Sequence, residues 1–408
     1  MPVIPFSEAL AQVQQYALRL SPTEPELVSL LDALGRALAE DLVADRNFPP
    51  FPRSTRDGYA LRSQDVAHVP AQVRWVGELK AGASLAQSSV KLQPGEAVEI
   101  MTGAPVPSGA DAVVMVEYTE KSGDAVTIKR SVAAGENVVG AGSEARKGDV
   151  MVARGSRVNH AIVAVAAAVG RADVAAHRRP RVAVLATGDE LVDINFAPGP
   201  NEIRNSNSYS LAAQVHQAGG EAMILPVARD DAEDLQVLIR KGAECDLLLL
   251  SGGVSMGKYD LVEQALEKMG AQFFFDGVLI QPGKPLVFGE VKAAQKTTPF
   301  FGLPGNPVST MVTFQLFARP VLDALAGARQ QAPLFAQAQL RSEFKVKPGL
   351  TRFLPGRLNG SHQQPQVEML KWHGSGDLTA LAGANCYIVV PPDKEQLQMR
   401  ESVTVLPF

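Results

Sequence analysis

Apolar positions recur at helical spacing in two runs near the start of the chain, FSEALAQVQQYALRL and ELVSLLDALGRALAEDL, within residues 6 to 41. SPTEP separates them, and both are predicted as helices. From Phe48 the texture changes to proline and then to short strand-like runs, AVEIMTG, AVVMVEY and AVTIKRS, set between glycine-containing turns. This predicts a β-rich module reaching to about Val150. NHAIVAVAAAVG then returns to a helical pattern, with Asn159 as N-cap candidate and Gly170 at its end. The β-rich part therefore reads as an insertion between two helical pieces.

After RRPR (178 to 181), a solvated linker by composition, apolar and amphipathic segments alternate. RVAVLAT, EAMILPV and DLLLLSGG read as strands, and NSYSLAAQVHQAGG, DDAEDLQVLIRKGAE and LVEQALEKMG as the helices between them. Strands that are apolar throughout, separated by amphipathic helices, predict a parallel sheet covered on both faces. PLVFGEV and PFFGLPG add two apolar runs ahead of the helix VSTMVTFQLFARPVLDALAG. QAQLRSEFKV, ANCYIVVP and ESVTVLP predict a small β domain at the end. The expected organisation is multidomain α/β: a helical linking domain (1–45 with 146–178), a β-rich inserted domain (46–145), a parallel-sheet α/β domain (179–328) and a C-terminal β domain (329–408).

Composition narrows the function classes. The 408 residues carry a net charge of −4, from 39 basic and 43 acidic residues, which offers no long-range attraction to nucleic acid or to an anionic membrane. The two cysteines, Cys245 and Cys386, stand far apart with no histidine or thiol at metal spacing. That suits a reducing cytosol and removes structural zinc. MPVIPFSEALAQVQQ has no basic start followed by an apolar run, and AIVAVAAAVG is shorter than the ~20 residues that span a bilayer. A cytoplasmic protein with neither nucleic-acid nor membrane partners is expected.

In an open α/β sheet, ligands bind beyond the carboxyl ends of the strands, so the loops there carry the candidate chemistry. SGGVSMGKYD (251 to 260) places Gly252, Gly257 and Lys258 on the spacing of a P-loop, with Tyr259 where the magnesium-binding hydroxyl belongs. A phenol at the end of a bulky ring cannot replace that hydroxyl, and Asp260 with Glu263 resembles a helix-capping pair that leaves Lys258 in the loop. Ser251, Gly252 and Gly253 are candidates for a phosphate nest of backbone amides, and equally for a tight turn. In ATGDEL, Asp189 and Glu190 are suited to a hard cation beside phosphate oxygens, or to the acidic first turn of a helix. QPGKPLVF holds Lys284 in a stiff loop as an oxyanion contact or a surface turn, and LPGNPVST offers Asn306, Ser309 and helix amides to an anion or serves as a helix entry. Taken together, these loops describe a site for a phosphorylated anionic ligand with a divalent metal. FPRSTRDGYALR and MTGAPVPSGADAVVMVE add Asp57, Thr102 and Glu117 in the β-rich part, where turns leading into strands are the competing reading.

The ordered set DGYA (57 to 60), TGAPVPSGAD (102 to 111), TGDEL (187 to 191), SGGVSMGKYD, PGKP (282 to 285) and LPGNPVS (303 to 309) resembles the molybdopterin molybdenumtransferase (MoeA-type) family, which includes the C-terminal part of gephyrin. The resemblance covers nearly the whole chain. It implies a parallel-sheet molybdopterin-binding domain and a transferase of molybdenum cofactor biosynthesis. Such an enzyme takes adenylylated molybdopterin and molybdate, cleaves the phosphoanhydride with Mg2+, releases AMP and leaves molybdenum on the dithiolene sulfurs.

Carried over by position, Asp57, Thr102, Glu190 and Asp260 match the family's functional positions, with Asp189, Glu190 and Asp260 as metal candidates. Lys284 and Pro285 match its molybdate-side segment, with Ser309 nearby. Asp230 matches an acid after the second strand, and Ser375 in GSGDLTALAGANC and Arg352 are further substrate-binding candidates. The resemblance also implies a homodimer whose site is shared between subunits, with Asp57 and Asp260 meeting only across chains. Gln281 stands where many relatives carry lysine, and Arg53 and Arg56 replace an uncharged pair beside Asp57. The alternatives within the resemblance are a noncatalytic molybdopterin-binding scaffold and a tungstate-specific paralogue, since molybdate and tungstate have nearly the same size and charge.

Overall fold

From Val182 onward the strand Arg181–Ala186 is buried at every position, and so is the whole of Leu247–Ser251. Alternate side chains of these strands serve two separate cores. Val182, Val184, Leu247 and Leu249 pack with Leu211, Val215, Val312 and Phe317 on one face, whereas Ala183, Leu185, Leu248 and Leu250 pack with Leu235, Ile239, Val262 and Leu266 on the other. A strand covered on both faces has no polar side to display, which is why these segments read as continuous apolar runs. Each fully buried Leu or Val contributes about 1.5–3 kcal/mol by removal from water.

The computed structural model describes residues 3–82, 91–229, 231–253, 261–293, 296–329, 333–360 and 363–408. The chain forms two compact units, residues 1–40 with 155–159 and 173–408, and residues 41–154 with 160–172. Among the described residues no helix is long and apolar enough to cross a membrane.

In the first unit the central sheet has the spatial order Glu221–Ile224, Arg181–Ala186, Leu247–Ser251, Lys296–Leu303, Val287–Ala293, Gln272–Asp276. The first four are mutually parallel, and the last two join antiparallel. The expected parallel sheet is therefore a mixed one: PLVFGEV turns directly back as a hairpin onto the strand that ends in GLPG, a connection too short for a parallel crossover. The helices Ser206–Gln217 and Ala232–Gly242 follow the first two strands, each with a side-chain N-cap, from Asn205 and Asp231. A long helix begins at Pro307, passes through a π-helical turn at Phe314–Ala318 and ends at Leu325.

The C-terminal strands Thr351–Gly360, Pro365–Met369, Ala336–Leu340, Ser402–Pro407 and Cys386–Val390 pair in that order, and the last pairs again with the first. They close into a small barrel around Leu340, Leu354, Val367, Ile388 and Val405, which removes its open edges. The short strand Ile280–Gln281 pairs with Thr351–Arg352 and ties the barrel to the α/β part.

The first helical run forms as predicted, Phe6–Ala17. The second does not. Its residues make the strand Pro25–Ser29, antiparallel to Asp173–His177, followed by turns and isolated bridges at Ala37 and Leu38. Leu27, Leu31 and Leu34, which create the helical periodicity, are exposed, while Ala33, Ala37 and Leu38 are buried. Strand pairing across the chain, with Gly35 at φ +78°, overrides the local pattern.

In the second unit six strands pair in the order Ala112–Met115, Gly58–Leu61, Glu96–Ile100, Ala71–Leu79, Ala125–Ile128, Thr119–Ser122. AVEIMTG, AVVMVEY and AVTIKRS each supply one of them, and the predicted helix forms at His160–Ala168. A Cβ at Gly58 would run into the Val114 carbonyl, so the DGY turn admits only glycine there.

Candidate functional site

In the first unit the carboxyl ends of the parallel strands bring together three loops that are far apart in sequence. Thr187 N–H donates to the Ser251 carbonyl at 3.1 Å, and Gly252 N–H donates to the Leu303 carbonyl at 3.3 Å. Gly252 (φ +89°) lies so close to its neighbour that a Cβ would stand 2.6 Å from the Thr187 carbonyl oxygen. Gly253 (φ +65°) is similarly confined by Val262 and Thr187. Both glycines are thus required by handedness and by space, and they hold the SGG turn against TGDEL and LPGN.

Around this turn a small cleft of about 60 Å³ is lined by Glu190, Arg204, Asn207, Ser251, Gly252 and Gly305, among others. Asp189 lines a second, wider groove of about 590 Å³ beside Arg229 and Asp231. The adjacent acids therefore line different cavities. TGDEL does not start a helix; it turns into the two-residue strand Leu191–Val192, parallel to Ile203–Arg204. Glu190 folds back over Gly188, where a Cβ would come within 2.5 Å of Glu190 Oε2.

Sequence reasoning missed Asn207 and Arg204. Asn207 Nδ2 donates to Ser251 Oγ at 3.0 Å and to the Gly305 carbonyl at 2.7 Å. The carbonyl partner fixes which end of the amide is nitrogen, so Oδ1 is an acceptor. That oxygen is buried and has no hydrogen-bond partner among the described residues. A buried unpaired acceptor is costly unless a donor arrives with the ligand. The signal was present in IRNSNS, a polar cluster opening a helix directly after a strand, but helix capping by Asn205 accounts for that composition equally well.

LPGNPVST enters the long helix with Asn306 at the N-cap position, its side chain making no capping bond. Ser309 is buried, and its carbonyl accepts from Thr313 Oγ1 at 2.8 Å. Val308 N–H donates to the Ser375 carbonyl at 2.9 Å, which brings the GSGD segment to the start of this helix. Lys284 is exposed and Pro285 half-buried in the loop after Ile280–Gln281. Within that loop, a Cβ at Gly283 would stand 2.6 Å from Thr313 Cγ2, so QPGKP packs onto the same helix. Arg352 is the register partner of Gln281 and donates through Nε and Nη2 to the Lys347 carbonyl at 3.1 and 2.6 Å.

Asp57 and Thr102 belong to the second unit. The Asp57 carboxylate is fully exposed, yet the Thr102 backbone N–H and then its hydroxyl hold it below the usual carboxylate range. Asp230, Lys258, Tyr259 and Asp260 lie outside the described residues. Among the described residues no group of three or more His, Cys, Asp or Glu side chains is placed to hold a metal. The carboxylates of Asp189 and Glu190 are hard oxygen donors on one exposed turn, chemistry that fits a cation retaining much of its water.

Residues 4–170 match the family model described as MoeA N-terminal region (domain I and II), residues 183–324 that of a probable molybdopterin binding domain, and residues 337–408 that of the MoeA C-terminal region (domain IV). A molybdopterin molybdenumtransferase of Bacillus subtilis (strain 168) is 33% identical over 412 residues, spanning 99% of this chain and 94% of the relative. That of Nostoc sp. is 35% identical over 95% of this chain and 89% of the relative. The crystal structure of a molybdopterin biosynthesis moeA protein from Pyrococcus horikoshii OT3 superposes with a TM-score of 0.79 at 28% identity, all of both chains being covered. With relatives of this identity along almost its full length, the chain belongs to the molybdopterin molybdenumtransferase (MoeA-type) family, transferases of molybdenum cofactor biosynthesis.

Proposed function

We propose that this chain inserts molybdate into adenylylated molybdopterin, with cleavage of the phosphoanhydride and departure of AMP. The observation that carries the reading is the convergence of the SGG turn, Glu190 and the Gly305–Pro307 helix entry at the carboxyl ends of the parallel strands of one sheet, with Asn207 Oδ1 beside them buried and unpaired among the described residues. Ser251 and Gly252 would shape the turn from which the Gly253 backbone amide, with the Arg204 guanidinium, would take phosphate oxygens, since Gly252 N–H is already spent on the Leu303 carbonyl, and Asn207 Oδ1 would accept a donor from the pterin or ribose. Lys284 and Pro285, with Asn306 and Ser309, would receive the oxyanion, and Arg352 and Ser375 would support that side. Gln281 leaves Lys284 as the cation of its loop.

Glu190, with Asp189 on the same turn and Asp260 after the neighbouring strand, would hold Mg2+ through oxygen ligands, and Asp230 would contact the substrate. The ion would neutralise charge on the phosphoanhydride. Asp57, kept ionised by Thr102, would act from the β-rich part of a homodimeric enzyme. No nucleophilic side chain is required, since positioning and charge neutralisation lower the barrier of such a step.

The test is AMP release from adenylylated molybdopterin on addition of molybdate and Mg2+, followed by chromatography. AMP should appear stoichiometrically with molybdenum cofactor and stop when EDTA removes the metal. Folded protein that yields no AMP would overturn the reading in favour of a noncatalytic molybdopterin-binding scaffold. Faster release with tungstate than with molybdate would reassign the oxyanion.

A further inference from the structure

A cluster of three arginines lies outside this site, along the long helix that begins at Pro307. Arg319 and Asp323 pair one α-helical turn apart, and Gln315, in the π-helical turn before them, lines the same cavity. They line a cavity of about 570 Å³, completed by Arg157, Arg329 and an apolar wall that includes Leu334 and Leu406. A volume of this size fits a small organic ligand, since ligand pockets run from about 300 to 1,000 Å³.

The charges in it do not balance. Asp323 is buried, and its Oδ1 accepts from Arg157 Nη2 at 2.6 Å and from Arg319 Nε at 3.0 Å. Arg157 spends its other terminal nitrogen on the Gly35 and Ala218 carbonyls, at 2.6 and 3.0 Å. That half of the cluster is structural: a carboxylate clamped by two guanidinium groups. Arg319 contacts Asp323 through Nε alone, so its terminal nitrogens have no protein acceptor among the described residues. Arg329 is exposed, and its guanidinium forms no ion pair among the described residues. Three cations face one carboxylate, and the unspent donors belong to Arg319 and Arg329.

We propose that this cavity binds a small organic dianion, a phosphate monoester, with its head between Arg319 and Arg329 and its apolar body against Leu334 and Leu406. The surplus of two positive charges matches a phosphate monoester, which carries about −1.5 to −2 at neutral pH, better than a monocarboxylate. The apolar wall favours an ester with an organic group over inorganic phosphate.

The test is isothermal titration of the full chain with phenyl phosphate, benzoate and inorganic phosphate at low salt. Phenyl phosphate should bind saturably at one site per chain, about tenfold more tightly than either of the other two, and lose affinity as salt is raised. Arg329→Gln, at the exposed rim and safe for folding, should weaken it about tenfold, and Arg319→Gln at least as much. Ser309→Ala, at the sheet edge, should leave it unchanged. Benzoate binding as tightly as phenyl phosphate, equal binding in Arg329→Gln, or loss of binding in Ser309→Ala would each overturn the proposal, the last by moving the ligand to the sheet edge.

Discussion

Asp57 Oδ1 accepts two hydrogen bonds from one residue, from the Thr102 backbone N–H at 2.6 Å and from the Thr102 hydroxyl at 2.7 Å. Both bonds favour the ionised carboxyl, so its folded-state pKa lies below the ordinary 3.8. The stability linked to this group is therefore present above the unfolded pKa and lost as pH falls through the lower, folded value. Thr102→Val removes the hydroxyl bond and keeps the amide, so the acidic limb of the turnover profile should move to higher pH. Asp57→Asn should lower AMP release about 100-fold with an unchanged melting temperature. A pH–rate profile of the wild type and the two variants checks both outcomes.

Gly252→Ala should be disruptive out of proportion to one methyl group. The new Cβ would meet the Thr187 carbonyl at 2.6 Å in a backbone conformation with φ +89°. The expected cost is about 1–3 kcal/mol, read from the urea midpoint, together with loss of AMP release. Gly270→Ala, also at positive φ but in open space, is the matched control. It should cost less, since only the strain of the backbone conformation remains.

Asn207→Ala should weaken substrate binding more than it weakens the fold. The substitution removes the donors to Ser251 Oγ and Gly305 O and also the acceptor left unpaired in the cleft. Loss of the two internal bonds is expected to cost about 1–3 kcal/mol of stability. Asn207→Asp keeps an acceptor in place but cannot donate to Gly305, and it adds negative charge where phosphate is expected. It should therefore bind adenylylated molybdopterin more weakly than the alanine variant, in equilibrium titrations on folded protein.

Both thiols should be silent in the native state. Cys245 and Cys386 are buried, and burial pushes the Cys386 thiol up to about 11 and raises that of Cys245. A thiolate is the reactive form, so a chromogenic disulfide reagent at neutral pH should register neither cysteine until denaturant is added, and then both. Rapid labelling of folded protein would contradict this burial.

Much of the fold was legible because the relevant physics is local. Runs such as VAVLA and LLLLS are short, apolar throughout and set between amphipathic helices, which marks strands covered on both faces, and glycines next to their ends mark turns. The position of the candidate loops was legible to the extent that those turns lie at strand ends: Ser251, Gly252 and Glu190 line one cleft, with Gly305 beside Asn306. Residues 26–41 misled because Leu27, Leu31 and Leu34 have helical spacing yet lie on the surface, where pairing with Asp173–His177 decides the conformation. Asn207 was passed over because an asparagine opening a helix looks like a cap.

By itself the sequence determined the buried strands of the α/β sheet and the turns at their ends, which loops hold acids and glycines, and, through the order of its motifs, the family. Tertiary structure alone decided that the sheet is mixed, that Asp189 and Glu190 line different cavities, that Ser375 meets Val308, and that Asn207 turns into the cleft a buried oxygen with no partner among the described residues. The reason is range. Apolar periodicity and turn chemistry act over a few residues, whereas these relationships depend on groups tens of residues apart whose meeting is set by packing, which no local pattern records.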